Sequence, residues 1–139
     1  MSNFKKSWEM EVGLNNVPSY QVSGQPFASG GIDATTAVRV QFPSVTRWVM
    51  VINMQEEPNG NCKFGFSEAG VEGDNYFIVP HWGGAPGSYN TTRPLEMKVS
   101  EIWLSGSSKV DVVAGLTSIV PERTKTEDGP SWSGSAGVG

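Results

Sequence analysis

The chain has 139 residues, enough for one domain with a single core. Only 17% of them are charged, the net charge is −4, and Lys5-Lys6 is the one adjacent pair among ten scattered Lys and Arg residues. That balance disfavours nucleic-acid binding, the absence of an apolar run of about 18 residues excludes a membrane-spanning helix, and a single cysteine excludes an intramolecular disulfide.

Residues 1–16 are polar, but Trp8, Met10 and Val12 alternate with Glu9 and Glu11. This pattern reads as a short strand or as an arm that docks on a neighbour, which makes Trp8 and Met10 candidate assembly contacts. No hydrophobic leader is visible in MSNFKKSWEMEVG, so synthesis in the host cytoplasm without a secretory signal is expected. Residues 17–121 read as the folded domain. Pro18, Gly24, Pro26 and the Gly30-Gly31 pair rule out a long helix at its start.

TTAVRVQF has a strand period, with Val38, Val40 and Phe42 on one face and Arg39 and Gln41 on the other. TRWVMVINM is nearly all apolar, which predicts a central strand covered on both faces. Asn59-Gly60 marks a turn. CKFGFS alternates Cys62, Phe64 and Phe66 against Lys63, Gly65 and Ser67, with Gly65 leaving room for a neighbour or marking a bulge. EAGVEGDN reads as another turn, YFIVPHW as a strand ended by Pro80, and GGAPGSYNTTRP as a long exposed loop.

RPLEMKVSEIWLSGSSKVDVVAGL admits two periods. Leu95, Val99, Ile102 and Trp103 fit a helix face, and Pro94 suits a first helical position. Leu95, Met97 and Val99, then Ile102 and Leu104, fit a strand whose alternation slips once. The β-branched residues that follow favour the strand. The slip predicts a β-bulge at Ser100-Glu101, then a tight hairpin turn and a second strand. Residues 122–139 lack a period and are rich in Ser, Gly and charge, so they read as a flexible or extended tail. Trp132, a lone aromatic there, is a third candidate assembly contact.

The polar residues do not assemble a recognisable chemistry. His81 is the only histidine, sits at a strand end, and has no G-x-S-x-G nucleophile motif beside it. Strand alternation puts Cys62 on the apolar face, as a buried small hydrophobe rather than an activated thiol. The acids near residues 56–57 and 68–74 do not match a calcium-loop spacing, and one His with one Cys makes no zinc site. Asn90-Thr91-Thr92 matches a glycosylation sequon, read here as a chance match in a loop. No catalytic residue, metal or cofactor is therefore expected. His81, Trp82 and Tyr89, around the glycine-rich loop, form a candidate receptor or glycan loop, because exposed rings stack on sugars and anchor interfaces.

VPSYQVSGQPF, VTRWVMVIN, KFGFSEAGVEGDNYFIVP and LEMKVSEIWLSGSSKVDVVAGLTSI together resemble small structural proteins of double-stranded-DNA viruses and marine phages. The resemblance runs from Val17 to Val120, and its motifs are structural. It implies a single jelly-roll capsid component, such as a vertex (penton), minor capsid or decoration protein. The residues themselves agree with an all-β antiparallel sandwich of about eight strands, whose order alternation does not show; the resemblance implies that it is a single jelly roll. The expected function is a non-enzymatic viral structural protein located in the virion. It would oligomerise with itself, a pentamer being the sharpest version, and dock to the major capsid or other virion proteins, with no nucleic-acid or membrane partner. The alternative is a phage fibre, knob or carbohydrate-binding module for receptor attachment.

Overall fold

Strand-forming residues of period two dominate the chain, and they form two antiparallel sheets. The computed structural model describes residues 24–56, 58–83, 90–126 and 129–130. One sheet contains β1 (Gln25–Ala34), β7 (Ser107–Leu116) and β3 (Thr46–Asn53), in that order. The other contains β2 (Val38–Gln41), β6 (Glu101–Ser105), β4 (Cys62–Gly65) and β5 (Tyr76–Val79).

An irregular ribbon, residues 90–99, lines the side of β3 away from β7. Isolated antiparallel bridges join Val49 to Leu95 and Ile52 to Thr91. The Leu95 and Val49 amides and carbonyls exchange hydrogen bonds of 2.8 and 3.0 Å. Hydroxyls complete what the irregular backbone leaves open. Thr46 donates to the Met97 carbonyl at 2.8 Å and accepts from the Val99 amide at 3.1 Å, while Thr92 accepts from the Val51 amide at 3.0 Å. Counted as the sixth of eight extended segments, the ribbon completes sheet orders 1-8-3-6 and 2-7-4-5. That order is a jelly roll, two Greek keys folded onto one another.

The inner faces meet in one core. Val49 and Val51 of β3 and Val110, Val112, Ala114 and Leu116 of β7 face Val40, Phe42, Ile102, Leu104, Cys62, Phe64 and Val79. Phe27 packs edge-on against Phe42 with centroids 5.0 Å apart. Each such large side chain stabilises the fold by roughly 1.5–3 kcal/mol.

Several expectations need correction. β3 is buried on one face only: Val49, Val51 and Asn53 point inward, while Trp48, Met50 and Ile52 remain partly exposed. The segment after Arg93 is neither a helix nor a bulged hairpin. Leu95 pairs with β3 in one sheet, whereas Glu101–Ser105 pairs with β2 and β4 in the other. The slip at Ser100-Glu101 is therefore a crossing between sheets. A second crossing follows at Gly106, because β6 and β7 also lie in different sheets. Gly106 has φ of +94°, and a Cβ there would stand 2.7 Å from the Asn61 carbonyl oxygen, so only glycine suits this corner.

The expected turn after Phe66 contains a short helix, α1 (Glu68–Glu72). The Ser67 hydroxyl caps it by accepting from the Gly70 amide at 2.9 Å. Gly65 makes the helix's approach possible, since a Cβ there would meet Val71 Cγ1 at 2.7 Å. Within the segment read as a tail, the structure places a 3-10 turn (Pro121–Thr124) and a two-residue ladder between β8 (Lys125–Thr126) and β9 (Gly129–Pro130).

Candidate functional site

The most distinctive surface lies at β5 and the loop that leaves it. Tyr76 and Ile78 take the outer face of their sheet, and Phe77 and Val79 the inner face. Phe77 nevertheless remains 39% exposed and Ile78 44%, because β5 closes its sheet and the core is open on that side. Phe77 packs at 4.7 Å against buried Phe64. Lys63, opposite Ile78 in the ladder, holds its ammonium 4.7 Å from the centre of the Tyr76 ring.

Beyond Pro80 the backbone is tied down by side-chain amides. The His81 amide donates to Asn61 Oδ1 at 2.9 Å. The same oxygen lies 3.0 Å from His81 Nδ1, so one amide oxygen holds both the backbone and the ring of His81. The Trp82 amide donates to the Gln55 carbonyl at 2.7 Å, and the indole is 49% exposed. His81 and Trp82 are thus held in place, with the larger ring in the open. Tyr89, the third member of the candidate loop, lies outside the described residues, as do Trp8, Met10 and Trp132.

One buried residue organises this end of the molecule, and its importance was not read from the sequence. Asn53 is fully buried at the end of β3. Its amide nitrogen donates to the Gly60 and Val79 carbonyls at 2.7 and 3.1 Å. Its oxygen accepts from the Gln55 amide at 3.1 Å and the Ser107 hydroxyl at 2.7 Å. All four hydrogen-bonding positions of the side chain are used. They tie β3 to the loop before β4, to the end of β5 and to the start of β7. The visible signal was a lone amide closing an otherwise apolar strand.

A concavity of about 430 Å³ lies between the start of β6 and the 3-10 turn. Arg39, Gln41, Glu101 and Glu122 give it a polar lining. Glu101 Oε2 accepts from the Trp103 indole at 3.1 Å and sits 3.8 Å from Arg39 Nε, so its charge is already partnered. Cys62 is fully buried on the inner face, and burial pushes its thiol up to about 11, making it an inert packing group. Among the described residues, no group of three His, Cys, Asp or Glu side chains is placed to hold a metal. None of their helices is long and apolar enough to cross a membrane.

No protein-family model, no curated protein and no solved structure matches this chain.

Proposed function

We propose that the chain is a non-enzymatic structural subunit of a virus particle, a penton or vertex, minor capsid or decoration protein. It works by self-association and by docking to the major capsid or other virion proteins, and its place is the virion. Jelly rolls also occur in lectins and cupins, so the fold alone does not choose among these roles. The observation that carries the choice is the apolar edge at β5, where Phe77 and Ile78 stand half exposed on a strand with no charge of its own. Such an edge is suited to burial against another subunit.

Light scattering on the full-length chain, followed by co-purification with particles, tests this reading. A pentamer that joins particles fits a vertex role, and a trimer that joins them fits a decoration protein. A chain that stays monomeric and is excluded from particles overturns the proposal.

The exposed Trp82 favours a second reading, a fibre, knob or carbohydrate-binding module. The indole would stack on a sugar beside the His81–Asn61 pair. A glycan array separates the two: binding that disappears in Trp82→Ala supports attachment, and a blank array removes it.

A further inference from the structure

The edges of the two sheets are not alike. β1 carries Pro26, two register shifts and exposed Asp33. β2 carries Arg39, paired with Glu101. The 90–99 ribbon is irregular and includes Arg93 and Pro94. Charges, prolines and bulges of this kind keep an open edge from templating a new strand. β5 has none of them. Its sequence is Tyr-Phe-Ile-Val, it pairs with β4 in unbroken register, and among the described residues its other side has no strand.

We propose that β5 receives residues 8–12 of a second copy of this chain as an added strand, an inference that rests on the assembly reading above. Residues 1–23 precede the described structure, and fully extended they would span roughly 75 Å, farther than one sandwich is wide. Their point of departure is known: the Gly24 amide donates to the Leu116 carbonyl at 3.1 Å, beside β1. β1 and β5 close opposite sides of the sandwich. β1 runs directly into β2, whereas β5 lies at the β3 side, where Asn53 reaches the Val79 carbonyl. A segment starting at β1 must circle its own sandwich to reach its own β5, but within an assembly it meets a neighbour's directly.

The segment matches the edge in both apolar pattern and charge. With Met10 set opposite Phe77, the Trp8, Met10 and Val12 row extends the inner layer and covers the exposed Phe77 ring. Glu9 and Glu11 fall on the outer layer, next to the Lys63 ammonium.

Cross-linking between differently tagged full-length chains tests the proposal. One chain carries Met10→Cys and the other Phe77→Cys, and Cys62 is buried in both. Mixing and mild oxidation should give a disulfide between the two chains, well above the yield when Met50→Cys replaces Phe77→Cys. Ile78→Cys gives a second pair, with Glu11→Cys for a parallel strand or Glu9→Cys for an antiparallel one; it spares the Phe77–Phe64 contact, and one of the two should also bond. Cysteine pairs that all bond no better than the Met50→Cys control, or a disulfide forming only within a chain that carries both cysteines, would each overturn it. Oligomers or particles that form without the cross-link overturn the added strand and leave the assembly reading standing. A chain that stays monomeric and outside particles overturns both.

Discussion

β3 and β5 are the two most apolar strands, and they have opposite surroundings. β3 reads Trp-Val-Met-Val-Ile-Asn from its third residue on and is paired on both sides, by β7 and by the 90–99 ribbon. β5 reads Tyr-Phe-Ile-Val and, among the described residues, is paired on one side only. Composition alone predicts burial for both. What separates them is the polar residue at the end of the run. β3 ends on Asn53, which anchors three other segments from inside the core. β5 ends at Pro80 and receives one of those anchors on its Val79 carbonyl. The first strand holds the domain together, and the second is positioned by it and left accessible.

The sharpest way to break this contrast is Asn53→Ala. It leaves the Gly60 and Val79 carbonyls, the Gln55 amide and the Ser107 hydroxyl without their buried partner. The expected destabilisation is about 4 kcal/mol, read as a lowered urea midpoint. A loss below about 1 kcal/mol would show that Asn53 does not organise this end of the fold.

Cys62 reports on whether β5 stays closed over β4, because it pairs with Val79. Its folded value of about 11 stands above the ordinary 9.0. Below pH 9 the folded and unfolded chains both keep the thiol proton, and the contribution to stability is complete. Between pH 9 and 11 the unfolded chain releases the proton while the folded chain retains it, so stability falls as pH rises. The loss approaches roughly 2–3 kcal/mol by the top of that window. Urea unfolding across the window checks it, and Cys62→Ala should flatten the slope. A wild-type slope equal to that of Cys62→Ala would mean the thiol is already open to solvent.

The smallest effect on stability is expected at Ile78→Thr, on the exposed face of β5. The monomer should lose less than about 0.5 kcal/mol. Self-association, measured by sedimentation, should weaken all the same. Equal association by the variant and the parent chain would place the contact surface elsewhere.

Much of the fold was legible because alternation reports which side chains share a face. Val38, Val40 and Phe42, and Cys62 and Phe64, lie as their spacing indicates. Alternation does not report which sheet a strand joins. Ser105-Gly106-Ser107 therefore looked like a hairpin turn when it is a passage between layers, and the positive φ of Gly106 serves both equally well. α1 was missed because five residues carry too little period to stand out, although Ser67 before Glu68 was a capping signal. Of the candidate site, Trp82 is half exposed, and His81 gains a partner, Asn61, that lies 20 residues earlier in the chain. The open flank of β5 left no trace in the sequence, since an apolar run looks the same with one neighbour or two.

The pairing of β1 with β7 has a consequence for how the protein is made. Gln25 meets Leu116, so the first described strand waits for the last long one before it has any partner at all. During synthesis β1 leaves the ribosome early and stays single until nearly the whole domain has emerged. Closure then relies on contacts distant in sequence, for which folding on the order of milliseconds to seconds is usual. A chain halted before residue 107 would lack the central strand of this sheet, leaving β1 and β3 as two open edges. Unfinished copies would thus differ from finished ones by a large exposed surface, a basis on which cellular quality control can sort them.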